Sequence, residues 1–221
     1  MENLIEDLEK LFPTYETTLP FCKKTVSFKP FKVKDAKTIA IILQENNKKL
    51  ALKAMVDLLK SNSKDVDVYN LCLADAEYLF LQIRSKSVDE VLNLIKDDEK
   101  IQLNISDIKT RNNCKKEKIT IGNNIVVHLE TPLIKNLLKM NSLEKEELFK
   151  ASISQITVKN EIYDLHKYVP EDIKNLLDNL PLSVMPALDK FMREQPELYA
   201  TLPFNSGEKE VSGILNFFTY R

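Results

Sequence analysis

The spacing of apolar residues changes twice along this chain, and this change constrains the fold more than any other feature. In residues 34–86 apolar residues recur at helical intervals, as at Ala36, Ile39 and Leu43. Between residues 101 and 129 they alternate with polar residues, which is typical of strands with one buried face. Helical spacing then returns. The sequence therefore predicts an α+β fold that is mainly helical, with a central antiparallel β-meander.

Several segments have helical spacing, and some of them begin at recognisable starting signals. Asn141 and Glu144 form a candidate capping pair, and Pro170 suits the first position of a helix. The predicted helices cover residues 36–43, 52–59, 76–86, 133–140, 143–154, 170–180 and 181–195.

The N-terminal region predicts two further elements. Residues 1–12 have the pattern of a short amphipathic helix, with Leu4 and Leu8 on its apolar face, which docks either on the protein's own core or on a partner. Residues 25–33 alternate around Pro30, which predicts an edge strand or a hairpin arm.

Two segments near the centre and beyond it are less clearly patterned. Residues 87–95 fit a helix opened by the capping box Ser87 and Glu90, and they fit a strand equally well. Residues 156–162 predict a short strand. Both alternatives for the first segment remain open on periodicity alone.

The domain organisation follows from what the sequence lacks. No internal repeat or low-complexity tract interrupts the chain, so residues 1–221 predict a single α+β domain. Its predicted subdivisions are helical residues 1–86, a β-meander in residues 87–131, and helical residues 132–221 that end in a hairpin and an aromatic tail.

The charge balance narrows the classes of partner. With 32 Lys and Arg against 33 Asp and Glu, the net charge is −1, so the chain has no global field for nucleic acid or acidic membranes. No apolar run approaches the length of a membrane span. Two local basic clusters keep nucleic-acid binding as an alternative: Lys23, Lys24, Lys29, Lys32, Lys34 and Lys37, and then Lys109, Arg111, Lys115, Lys116 and Lys118.

Catalytic and cofactor chemistry has little support in the sequence. Only three glycines are present, which excludes the glycine-rich loops of nucleotide-binding folds. The cysteines and the two histidines, His128 and His166, match no metal-ligand or nucleophile spacing. We therefore expect no catalytic residue, no cofactor, no metal, no small-molecule substrate and no enzymatic activity.

Protein binding has better support, because aromatic and apolar residues are concentrated at the chain ends. Phe28 and Phe31 are candidates too, although packing of their rings in the core is the favoured interpretation. The full set of candidate partner-binding residues is Phe217, Phe218, Tyr220, Phe28, Phe31, Leu4 and Leu8.

Four stretches of the sequence resemble one family. They are LPF at residues 19–21 with TVSFKPFKVK at 25–34, ADAEYLFLQIRSKSV at 74–88, LNISDI at 103–108, and the closing pair Phe217 and Phe218. In this order they resemble the baseplate hub assembly proteins of T-even-type contractile-tailed phages, and the resemblance covers nearly the whole chain. It favours a strand in residues 87–95 that pairs with residues 101–107. Several relatives have a pair of cysteines before the final aromatic motif. This chain has PFNSG at residues 203–207 instead, so the resemblance implies no metal ligand.

The resemblance implies a non-enzymatic, chaperone-like assembly factor for the central hub of the baseplate, made during infection in the host cytoplasm. Its expected partners are hub or tape-measure proteins, and binding to nucleic acid or to a membrane is not expected. One alternative is a permanent structural subunit of the hub in the virion baseplate, and another is a nucleic-acid-binding protein that uses the lysine clusters.

Overall fold

A computed structural model describes residues 11–44, 47–96, 99–205 and 207–213 of the protein. The chain divides into two compact units. Unit 1 comprises the described parts of Met1–Val68, Ala74–Arg111 and Glu197–Arg221, and unit 2 comprises Tyr69–Leu73 and Asn112–Pro196. Because the chain leaves unit 1 and returns to it, these ranges differ from the predicted subdivisions 1–86, 87–131 and 132–221.

Unit 1 begins with a three-stranded antiparallel sheet, in the order β1 (Tyr15–Thr18), β2 (Thr25–Phe28) and β3 (Ser63–Lys64). Its hairpin confirms a hairpin arm for residues 25–28 of the predicted range 25–33, whereas residues 29–33 are not part of a strand. The alternative of an edge strand is wrong, because β3 pairs with the outer side of β2 and makes β2 the central strand.

Three helices supply half of the buried apolar residues that the structure describes in unit 1. They are α1 (Ala36–Gln44), α2 (Lys48–Asn62) and α3 (Leu73–Ser87), of which only Leu73 lies outside the unit. The predicted break between the first two helices is confirmed, because the Asn47 side chain accepts hydrogen bonds from the backbone N–H groups of Lys49 and Leu50. Helix α3 is buried on most sides, as is typical of a central helix.

Two smaller sheets complete unit 1. The first is the hairpin of β4 (Val91–Lys96) and β5 (Glu99–Asn104). It confirms the strand that the resemblance favoured for residues 87–95 from Val91 onward, whereas Ser87 is the last residue of α3. The second has the order β12 (Gly207–Ser212), β11 (Glu197–Phe204) and β6 (Lys109–Arg111). The pairing of β6 with β11 returns the C-terminal part of the chain to unit 1.

Unit 2 is built on one four-stranded antiparallel sheet, in the order β10, β9, β8 and β7. The strands are β7 (Lys116–Ile121), β8 (Ile125–Glu130), β9 (Ile153–Val158) and β10 (Glu161–Asp164). The predicted hairpin around residues 122–124 is confirmed. The single central meander is wrong, because β4 and β5 form a sheet of unit 1, whereas β7 and β8 pair with later strands in unit 2.

Four helices accompany this sheet: α4 (Ile134–Lys139), α5 (Lys145–Ser152), α6 (Pro170–Asp178) and α7 (Met185–Arg193). Pro170 occupies the first turn of α6, as predicted. The predicted capping pair before α5 is wrong: Glu144 is itself the N-cap residue, without a side-chain capping hydrogen bond, and Glu147 accepts the hydrogen bond from the backbone N–H of Asn141.

The core of unit 2 lies on one face of the sheet. Alternate residues of β8 and β9, such as Val127 and Ile156, point to this face and pack with Phe149, Leu188 and Phe191 from the helices. The mixed α+β class is therefore confirmed. The description as mainly helical is not, because antiparallel sheets account for a large share of both units.

Candidate functional site

An open apolar groove lies in unit 2 between the sheet and α6, and it encloses about 550 Å³. Strand β9 contributes Ile156 and Val158, which share a face because they are two residues apart. Tyr163 of β10 is directly opposite Ile156 and so points to the same face. The sheet therefore forms one wall of the groove, and the last described strand of the sheet forms its rim.

Helix α6 forms the other wall. It begins at Pro170, and its apolar spacing turns Ile173 and Leu176 toward the sheet, while Asp172 and Asn175 lie at the open side. The loop between β10 and α6 adds Leu165 and Tyr168. The groove is thus assembled by a strand, a loop and a helix that follow one another in the chain.

The burial of these side chains changes with depth. Ile156, Leu165 and Ile173 form the floor and are buried members of the core of unit 2. At the rim, Tyr163 is 40% exposed and Tyr168 is 43% exposed. The groove is therefore an opening into the hydrophobic core that is bordered by two tyrosines. An apolar surface with a polar rim is typical of a protein-binding site.

Its electrostatics are simple, because Asp172 is the only charged residue among the described residues that line it. The Tyr163 hydroxyl donates a hydrogen bond of 2.7 Å to Glu161 Oε2, and this bond, with the nearby carboxylate charge, raises the pKa of Tyr163 above its ordinary value. Tyr163 therefore remains a neutral phenol at physiological pH. The groove offers apolar contact and hydrogen bonding without strong charge.

The structure separates the predicted partner-binding residues. Phe28 is only 2% exposed and packs in the core of unit 1, so the core interpretation of this residue is confirmed. Phe31 is half-buried, and its ring centroid lies 5.3 Å from that of Phe80. The other candidate partner-binding residues lie outside the described part of the chain: Leu4, Leu8, Phe217, Phe218 and Tyr220. The predicted helix at residues 1–12 also lies outside it, except for residues 11 and 12.

The first basic cluster is only partly assembled. Lys29 and Lys32 line a cleft of about 400 Å³ in unit 1, together with Lys60 and Lys64, which the sequence did not single out. Phe28 also lines this cleft, but its ring is buried and is not accessible for stacking on a base.

Members of the second basic cluster are neutralised locally. Their ion pairs are Arg111 with Glu197 and Glu210, Lys115 with Glu117 and Glu194, and Lys116 with Glu130. Paired lysines and arginines have less net charge to offer a phosphate backbone.

The histidines and cysteines do not converge on a site. His128 Nε2 lies 3.2 Å from Thr157 Oγ1 on the neighbouring strand. His166 Nδ1 lies 3.1 Å from Asn136 Nδ2. In the part of the chain that the structure describes, no group of three or more His, Cys, Asp and Glu side chains could hold a metal ion. None of the described helices is long and apolar enough to cross a membrane.

Sequence reasoning missed the groove, although a signal was present. Ile162–Tyr163 and Tyr168–Val169 are adjacent apolar pairs in an otherwise polar segment. In a strand, neighbouring residues point to opposite faces, so one member of such a pair faces away from the core. This pattern marks exposed apolar surface, but the floor of the groove comes from residues that look like ordinary core.

The comparison with protein families agrees with the resemblance in the sequence. Residues 12–219 match the family described as T4 bacteriophage base plate protein, and the chain belongs to this family. It matches no curated protein and no solved structure. Family membership gives the protein a role in baseplate structure or assembly, and interactions with other phage baseplate proteins.

Proposed function

We propose that this protein is a non-enzymatic, chaperone-like assembly factor for the central hub of the phage baseplate. The observation that carries the proposal is the family match over residues 12–219. The groove of unit 2 supports a protein-binding mode, because two partly exposed tyrosines border an opening whose floor is apolar.

In the proposed mechanism the protein acts in the host cytoplasm during infection. It binds a hub or tape-measure protein before the symmetric copies of that protein meet. In this mechanism the partner carries an apolar surface that its neighbours later cover, and large exposed apolar patches are prone to aggregate. A bound assembly factor covers such a surface and is displaced when the correct neighbour arrives.

A permanent structural subunit of the hub is the alternative within the same family. Both functions need an interface and neither needs catalysis, so the groove supports both. They differ in the mature particle, where a subunit is present at a fixed stoichiometry and a chaperone is absent.

A nucleic-acid-binding protein is the alternative from another class, and the lysine-lined cleft of unit 1 is the observation that favours it. It requires binding that falls steeply as salt concentration rises. Replacing Lys29, Lys60 and Lys64 by Gln would then abolish nucleic-acid binding, whereas the assembly factor would still recover its protein partners.

The non-enzymatic part of the proposal is consistent with the cysteines. Cys72 is buried, so substrate has no access to its thiol. Desolvation raises the pKa of Cys22, and the nearby Asp75 carboxylate adds to this effect, which lowers the fraction of reactive thiolate.

The direct test is purification of the tagged full-length protein from cells that are assembling the phage, followed by mass spectrometry of bound proteins and of mature particles. We expect hub or tape-measure proteins in the purified complex and none of the tagged protein in particles. A fixed amount in particles would favour the permanent subunit. Recovery of no baseplate protein would overturn both.

A further inference from the structure

Strand β10 is the last strand of the sheet of unit 2, and its outer side is accessible. In an antiparallel ladder, alternate residues bond to a given neighbour, so two of its four residues direct their N–H and C=O groups away from β9. Among the strands that the structure describes, none pairs with this side of β10. The strand therefore offers backbone donors and acceptors to an incoming chain.

The centre of this edge is open to pairing. Edge strands are commonly blocked by lysine, proline or a bulge, and also by short length and other charged side chains. The sequence of β10, Glu-Ile-Tyr-Asp, contains neither lysine nor proline, and its register with β9 is regular, but the strand has only four residues and an acidic residue at each end. Between these ends Ile162 is 66% exposed and Tyr163 is 40% exposed. This apolar centre is the part of the edge that can act as a template for strand addition.

The two faces of β10 define where the side chains of an added strand would lie. Tyr163 is opposite Ile156 and faces the groove, whereas Ile162 is opposite Thr157 and faces the other side of the sheet. A residue added beside Tyr163 would enter the groove, and its neighbour would cover Ile162. Both positions favour apolar side chains.

The ends of β10 select the partner by charge. Glu161 and Asp164 flank the apolar pair, and Lys167 Nζ lies 3.7 Å from Asp164 Oδ2. Opposite charges at facing positions stabilise a strand pair, whereas like charges destabilise it. A second copy of β10 would bring two more acidic residues and no basic one to this edge. The edge therefore favours an added strand that has basic residues at both ends.

We propose that the outer edge of β10 accepts an extended segment of another baseplate protein as a fifth strand, with two apolar residues flanked by Lys or Arg. This inference rests on the proposed function and names the surface and the chemistry through which that function is carried out. The groove then accommodates the apolar side chain that lies beside Tyr163.

Photo-crosslinking in cells that are assembling the phage tests the proposal. The full-length tagged chain carries p-benzoylphenylalanine at position 162, and a matched chain carries it at position 182. Leu182 is a suitable control because it is 84% exposed, lies in the same unit and does not line the groove. We expect a crosslink from position 162 to an extended, basic-flanked segment of another baseplate protein, and none to that segment from position 182.

A charge reversal makes the test more specific. Glu161→Lys should lower the crosslink yield from position 162 about five-fold or more, because attraction to the basic segment becomes repulsion. Glu208→Lys changes the net charge equally at an exposed position of unit 1 and should leave the yield unchanged. Thermal unfolding of each purified variant verifies that it folds.

The results that contradict the inference differ from those that contradict the proposed function. A crosslink to a second copy of this chain, or to a segment without basic residues, would overturn the strand-addition proposal. So would the absence of any crosslink from position 162 when baseplate proteins still co-purify, although the proposed function would then stand. If no baseplate protein co-purified, both would fail.

Discussion

Two hairpins of this protein have similar alternating sequences but opposite surroundings. In unit 1 the hairpin of β1 and β2 buries Phe28, whose ring lies 5.8 Å from that of Tyr15, and β3 pairs with the outer side of β2. In unit 2 the hairpin of β9 and β10 leaves Ile162 and Tyr163 exposed beside an open groove. Alternation determines which face a side chain takes, whereas the neighbouring elements determine whether that face is covered. The hairpin of β1 and β2, the covered hairpin, therefore contributes to stability. The hairpin of β9 and β10, the exposed hairpin, is available for binding.

The largest expected effect is in the covered hairpin. Phe28→Ala should lower the free energy of unfolding by about 3–5 kcal/mol, because it removes a buried ring and leaves a cavity. Chemical denaturation measures the change, and Tyr163→Ala is the matched variant in the exposed hairpin, with an expected loss below about 1 kcal/mol. Equal losses in the two variants would contradict the comparison.

The second-largest loss of stability is expected when the hydrogen bonds between the turn of the covered hairpin and α3 are removed. The fully buried Asp75 carboxylate accepts hydrogen bonds of 2.9 Å from the backbone N–H groups of Phe21 and Cys22. Asp75→Ala should lower the free energy of unfolding by about 2–3 kcal/mol, because charged hydrogen bonds are lost. Asp75→Asn retains one acceptor oxygen and should lose about half as much. If the two variants were equally stable, these hydrogen bonds would not be the cause.

A smaller effect is expected in the turn of the exposed hairpin. Lys159 and Asn160 both have positive φ, at 47° and 74°, which favours asparagine and glycine over lysine. The double variant Lys159→Asn, Asn160→Gly should raise the free energy of unfolding by about 1 kcal/mol. Thermal unfolding measures this change. Partner binding should not change, because the outer edge of β10 is untouched, and weaker binding would show that the turn itself is part of the interface.

The smallest effect on stability is expected at the exposed edge. Ile162→Lys should change the free energy of unfolding by less than about 0.5 kcal/mol, because the side chain is largely in solvent. The same variant should lose its baseplate partners in co-purification, since a lysine at an edge opposes strand addition. Leu182→Lys is the control and should retain them. A large loss of stability in Ile162→Lys would mean that the edge is structural.

Much of the fold could be predicted from local spacing. The break at Asn47, the start of α6 at Pro170 and the hairpin around Gly122 each depend on residues close together in the chain, and all three are present. Long-range pairing could not be predicted in the same way. The central position of β2 depends on residues 63–64, and the sheet of β6 and β11 joins segments that are far apart in sequence.

The candidate site was harder to predict than the fold. Aromatic content placed Phe28 among the candidate partner-binding residues, whereas the favoured interpretation, a ring packed in the core, is the one that the structure confirms. The predicted strand at residues 156–162 is a hairpin, since Lys159 and Asn160 form a turn without the usual glycine signal. The groove needs β9, the following loop and α6 together, and only the folded chain brings them into contact.

The central claim is that the exposed hairpin binds and the covered hairpin stabilises. Hydrogen–deuterium exchange of the isolated protein and of its purified complex with baseplate proteins tests this claim most directly. We predict that complex formation slows amide exchange at residues 161–164 and in α6, and leaves residues 15–28 unchanged. Slower exchange at residues 15–28, with no change at residues 161–164, would contradict the account.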